Sequence, residues 1–223
     1  MKKHLLLKGD NNGLFLQQAL LLLMMAAQLV LSTDLKAQTT EDKEAAFKKT
    51  LSERSAKIVT GLNITKPNKK EKITQLIAGQ YYDLNKVHDL AISAEAKTSR
   101  LEALHRKFTQ KLNKKLSDSQ VELVKNGMTY NVLNVTYTAY QEMILTLTAE
   151  QKEKIYNWLL EAREKAMMEG SSEAKHKMFG KYKGRINNFL SEQGYNMKAE
   201  EKAWQQRLRE KREKDAAGKQ NAA

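Results

Sequence analysis

Near the C-terminal end of the chain, Arg185 and Asn188 stand three residues apart, which on a helix puts both side chains on one face. A guanidinium suits a planar carboxylate, and a carboxamide both donates and accepts hydrogen bonds. Lys181 lies one turn earlier, and Gly180 and Gly184 punctuate the same segment. Each glycine costs a helix about 1 kcal/mol relative to alanine. Two of them one turn apart therefore predict something packed closely on that face, either another helix or a ligand. A second group of polar residues, Thr129, Tyr130 and Asn131, falls in the run 124–140, VKNGMTYNVLNVTYTAY. Gly127 suits a helix end there, and the β-branched and aromatic residues after it favour an irregular connector. Irregular backbone on a rigid scaffold is where binding residues concentrate. The expected site brings Thr129, Tyr130 and Asn131 to the glycine face of the helix that carries Lys181, Arg185 and Asn188. A third group, Tyr82 and Asp83 with His88 and Asp89, makes a polar cluster whose plainer reading is a core histidine held by a carboxylate.

Other chemistry is excluded by residue type. There is no cysteine, so thiol catalysis, thiolate zinc sites and disulfides are absent. The histidines show no paired metal-ligand spacing, and no Gly-rich phosphate loop or G-x-S-x-G elbow occurs. No metal and no cofactor is expected, and no motif supports a reaction class, which places an enzyme behind a binding protein.

The elements that must position these residues read as helices throughout. Apolar positions recur at helical intervals over 40–62, from Pro67 through Ala91, and from Leu101 to Leu116. The sole proline, Pro67, suits the first turn of a helix. A turn within 93–99 predicts two antiparallel helices rather than one long one. Leu116-Ser117-Asp118-Ser119-Gln120 and Leu147-Thr148-Ala149-Glu150-Gln151 are two copies of L-[ST]-x-x-Q. In each, the hydroxyl caps the helix and the glutamine reaches back to the cap. Helices then run from Thr148 toward Gly170 and from Ser171 or Ser172 to Gly194, and a charged helix follows over 197–214 with Trp204 folding back on the body. The expected fold is an all-α, single-domain bundle of about six or seven helices over 38–215, with one irregular connector near 127–136 and a disordered tail at 216–223.

Residues 1–37 combine a basic start, the apolar run ALLLLMMAAQLVL and a small residue at Ala37. Together these read as a secretory signal peptide cleaved before Gln38. The expected location is periplasmic or extracellular, with no membrane span in the mature chain. Removing four lysines and two aspartates with that segment lowers the formal charge from +13 to +11. Such a charge calls for an anionic partner. Export makes nucleic acid an unsuitable one and favours an acidic oligosaccharide.

The segment from about Ser55 to Trp204 resembles a family of exported helical proteins of Gram-negative bacteria, the domain-of-unknown-function 3826 family. The likeness rests on Arg54 to Val59, Gln80 to Asn85 with His88 and Asp89, Lys125 to Tyr130, Leu147 to Gln151, and above all Gly170-Ser171-Ser172, Lys175-His176 and Phe179 to Asn188. The resemblance implies an exported helical architecture and a sugar-binding role. The two L-[ST]-x-x-Q copies also resemble the periplasmic stress chaperones known for an LTxxQ motif. That likeness implies an alternative, a holdase-like or structural envelope protein.

Overall fold

The structure, a computed structural model, describes residues 41–220; the expected signal peptide lies outside the described residues. The chain divides between Thr50 and Leu51. In the first unit, residues 41–50 are helical. The second opens with helix α1, residues 51–60, and continues through α2 (Pro67–His88), α3 (Ala94–Asn113), α4 (Asp118–Met128), α5 (Val132–Met143), α6 (Ala149–Ala166), α7 (Ser172–Glu192) and α8 (Met197–Gln220). No strand occurs among the described residues.

Local chemistry sets most of these boundaries. Pro67 opens α2 in the first turn, where its missing N–H costs nothing. The Ser93 hydroxyl accepts from the Ala96 N–H and starts α3, so α2 and α3 fold back on each other. Both L-[ST]-x-x-Q copies form full capping boxes, Ser117 with Gln120 at α4 and Thr148 with Gln151 at α6. Ser171 caps α7 through its hydroxyl, which accepts from the Ala174 N–H. At the other end of α7, Gly194 takes φ 91°. The Tyr195 N–H then returns to the Leu190 carbonyl and the Gly194 N–H to that of Ser191. That is a Schellman turn, and it needs a left-handed residue.

Two departures from the sequence reading matter for the site. The irregular connector is confined to residues 129–131, because Val132 begins a helix whose Leu133, Thr136 and Tyr140 are buried. Burial of that face overrides the weak helix preference of Val132, Val135 and Thr136. In addition, α8 runs through Gln220, so the stretch read as disordered from Ala216 is helical that far.

The core beneath the candidate site comes from α5, α6 and α7. Ile155, Leu159, Ala162 and Ala166 of α6 meet Phe179, Ile186 and Leu190 of α7 and Leu133 and Tyr140 of α5. Ile73, Ile77 and Leu84 of α2, Phe108 and Leu112 of α3, and Val121 and Val124 of α4 are buried likewise.

Candidate functional site

The connector is strained where it leaves α4. Tyr130 and Asn131 adopt φ of 58° and 57°, the left-handed region, in succession. Non-glycine residues are held there at a cost, and such strain concentrates at functional positions. Hydrogen bonds hold the turn, and the shortest of them are these. The Thr129 hydroxyl donates to the Lys125 carbonyl at 2.8 Å, the Asn131 N–H donates to that of Asn126 at 2.7 Å, and the Asn134 amide donates to Asn131 Oδ1 at 2.7 Å. Thr129 is wholly buried, so it shapes the turn and presents nothing to a ligand. Tyr130 is thrown outward, 42 % exposed, and its ring stacks on His176 of α7 with centroids 5.3 Å apart and planes 17° apart. His176 is itself exposed.

Beside this stack lies a buried cation. Lys175 is 3 % exposed, and its ammonium donates to the Ala166 carbonyl at 3.0 Å. The ammonium also stands 5.9 Å from the centroid of the Tyr81 ring, and the Arg54 guanidinium stands 5.6 Å from the same ring. Burial lowers the Lys175 pKa to about 8; Glu169 opposes that shift and Arg54 adds to it. Burial also pushes the Tyr81 phenol well above its usual range, with Arg54 pulling partly back.

From His176 the exposed ridge of α7 continues through Gly180, Gly184 and Asn188 at four-residue steps. At 1.5 Å per residue it is about 18 Å long. A β-carbon built on Gly180 or Gly184 meets nothing within 4 Å. The close packing expected on these glycines is therefore not made by the described residues. Nor does the connector fill a groove there; it reaches α7 one turn earlier, through Tyr130.

At the far end of the ridge, Lys181, Gly184, Arg185 and Asn188 line a shallow hollow with Lys154 and Trp158 of α6. Arg185 lies over Trp158, 4.5 Å from its centroid, and reaches Glu161 at 3.6 Å. Trp158 meets Phe189 edge to face at 5.3 Å, and Lys154 sits 4.3 Å from the Phe189 ring. The Glu161 carboxyl is held below its usual range first by hydrogen bonds from Tyr182 and Lys165, then by the Lys165 and Arg185 charges. The structure thus gathers Lys181, Arg185 and Asn188 in one hollow and sets Tyr130 at the other end of the same ridge. Nothing in the sequence pattern singled out Trp158. The signal that could have found it is Lys154, one turn before it and on the same face.

Tyr82, Asp83, His88 and Asp89 do not converge. Nε2 of His88 bonds to the Met168 carbonyl at 2.9 Å, and its ring lies against Gly170, where a β-carbon would come within 2.8 Å. This histidine ties the end of α2 to the α6–α7 turn, and its partner is a carbonyl rather than a carboxylate. Asp89 is the C-cap of α2. Lys86 covers the Tyr82 ring at 5.2 Å, and Asp83 faces a separate cleft with Arg100 and Lys107.

One polar network escaped the sequence altogether. Arg163 of α6, 2 % exposed, donates to both oxygens of Glu122 at 2.6 and 3.1 Å, to Asn126 at 2.9 Å and to Glu164 at 3.2 Å. Glu164 also receives Lys125 at 3.1 Å and lies 3.0 Å from His105. These groups come from three helices, α3, α4 and α6, so no local spacing announces the network. Among the described residues no group of three or more His, Asp or Glu is placed to hold a metal ion, and no helix is long and apolar enough to cross a membrane.

A family model described as "Protein of unknown function (DUF3826)" matches residues 89–210. No curated protein matches the chain.

Proposed function

The chain belongs to the DUF3826 family, described only as of unknown function, and we propose that it binds an acidic oligosaccharide along the exposed ridge of α7. The observation that carries this reading is the pair of open glycines, Gly180 and Gly184, between the Tyr130–His176 stack and the Trp158–Arg185 stack. No packing within the described chain requires them, yet each costs the helix about 1 kcal/mol. A bare ridge lets the flat face of a sugar ring approach the backbone. Tyr130 offers a half-exposed ring to sugar C–H surfaces. Trp158 holds the Arg185 guanidinium in one orientation, ready for a uronate carboxylate. Lys154 and Lys181 add positive charge against two carboxylates, Glu192 in the hollow and Glu161 beside Arg185. Asn188 can both donate to and accept from hydroxyls. On the reading of residues 1–37 as a signal peptide, the ligand is a polysaccharide met in the periplasm or outside the cell.

Both L-[ST]-x-x-Q copies are engaged as capping boxes, so the holdase reading draws no support from them. The test is a thermal-shift and calorimetric comparison of an oligogalacturonide with a neutral cello-oligosaccharide. The uronide should raise the melting temperature of the wild type, because a ligand that binds only the folded state stabilises it. Arg185→Ala should weaken the uronide by about 1.5–3 kcal/mol, the range for a charged hydrogen bond. The double substitution Gly180→Ala, Gly184→Ala should stabilise the fold while weakening the ligand. A double variant that binds the uronide as tightly as the wild type, or a wild type that neither sugar shifts, refutes the proposal.

A further inference from the structure

The last helix leaves room that the rest of the bundle does not fill. After the Schellman turn at Gly194, α8 is fastened at two places. Tyr195 donates its hydroxyl to the Thr146 carbonyl at 3.1 Å and to Gln151 Oε1 at 3.0 Å. Further along, Arg207 donates to the carbonyls of Glu142 and Met143 at 2.8 and 2.9 Å, capping the C-terminal end of α5. Between these fastenings a cleft of about 470 Å³ opens among α5, α7 and α8. That volume lies in the range of small-molecule sites.

The chemistry of the cleft is divided. Val135, Ala139, Met143, Met197 and Trp204 supply apolar wall. Val135 is 62 % exposed, among the most exposed large apolar residues described. Two methionines make the wall adaptable to a flexible apolar chain. At the floor, the Tyr140 hydroxyl donates to Asn187 Oδ1 at 2.7 Å, which leaves the Asn187 amide hydrogens as donors. Lys183 of α7 and Lys198 of α8 bring two cations from different helices, against the single carboxylate of Glu201. The buried indole N–H of Trp204 finds no acceptor among the described residues. The cleft therefore offers an apolar wall, the Asn187 amide as donor and a net positive edge.

We propose that this cleft binds a single-chain amphiphile with an anionic head, its alkyl chain against Val135, Met143, Met197 and Trp204 and its head between Lys183 and Lys198. This site shares no residue with the glycine ridge, and the ligand is of another class. The two proposals can therefore fail independently.

The probe is decanoate, titrated below its micelle concentration against the folded protein by calorimetry and thermal shift, with decanol and decyl maltoside as neutral-headed controls. Decanoate should bind and raise the melting temperature. Ala139→Phe fills the cleft and should weaken decanoate by at least about tenfold. Lys183→Met with Lys198→Met should weaken decanoate similarly and leave decanol unchanged, and this pair keeps the test decisive should Ala139→Phe fail to fold. Arg185→Ala should leave decanoate binding as in the wild type. The proposal is overturned if decanoate does not bind, if a folded Ala139→Phe variant binds it equally well, or if decyl maltoside binds as tightly as decanoate.

Discussion

Gly127 of α4 lies so close to Ile58 of α1 that a β-carbon on it would come within 2.9 Å of Ile58 Cγ2. Its φ is not in the left-handed region, and it sits inside the helix. The glycine is therefore there for closeness, not for a turn. The neighbouring atoms belong to the stiff root of a β-branched side chain, which cannot swing aside. Gly127→Ala should destabilise the protein by about 1–3 kcal/mol through overpacking. Gly180→Ala, where a β-carbon meets nothing, should stabilise it by about 0.5–1 kcal/mol. Urea denaturation of the two variants, with unchanged slopes, checks this opposition of sign.

How far such roles can be read from sequence depends on whether the cause is local. Capping is local, so Ser117, Thr148 and the Gly194 stop were legible. The role of Gly127 was not, because its reason is Ile58, far away along the chain. The same holds for the helix after Asn131, where burial of Leu133 and Tyr140 outweighs local preference. In the candidate site, the spacing of Arg185 and Asn188 showed that they share a helix face, but not the hollow that they line with Lys181. Their partner Trp158 lies on another helix and was hidden among core positions. The buried Arg163 network needs three helices to meet, which no window of sequence records.

The Thr148 cap is tied to more than its own helix. Gln151 Oε1 accepts from the Thr148 N–H at 3.0 Å and also from the Tyr195 hydroxyl at 3.0 Å. Thr148→Ala should cost about 1 kcal/mol, the usual loss for a cap. The oligogalacturonide affinity of this variant should equal that of the wild type, since the cap touches neither the ridge nor its hollow. Denaturation and calorimetry on the same preparation check both statements.

Acid stability should depend on Glu164. Burial alone would raise its pKa, but His105, Lys125 and Arg163 outweigh burial and hold it at about 2. A carboxylate whose folded pKa is depressed contributes stability that is complete above its unfolded value. That contribution is lost as the pH falls through the folded value. The window here runs from about 4.5 down to about 2. The side chain is about a third exposed, so solvent screening reduces the effect. Glu164→Gln should be less stable than the wild type by about 1 kcal/mol at pH 7. The two proteins should converge near pH 2, and parallel denaturation curves across this window measure the convergence.

Lys175 should produce its own trend at the alkaline end. Its ammonium is buried against the Tyr81 ring and has one carbonyl, that of Ala166, as its acceptor. Burial holds the folded pKa at about 8, below the ordinary 10.5. Between those values the unfolded chain binds the proton that the folded chain has released. Stability therefore rises with pH across this window, and below pH 8 the buried charge is a full penalty. The shift corresponds to about 3 kcal/mol at 1.36 kcal/mol per pH unit. Lys175→Met keeps the volume and removes the charge. The Ala166 carbonyl retains the Glu169 N–H at 3.1 Å, so it is not orphaned. The variant should equal or exceed the wild type in stability at pH 7, as apolar replacement of a buried charge often does. Its advantage should shrink as the pH is raised from 8 toward 9.5. Comparison with the variant at each pH cancels the tyrosines and surface lysines, which titrate in both proteins. A variant less stable than the wild type at pH 7, with a difference that does not change with pH, would show that Lys175 is held charged by partners stronger than a single carbonyl.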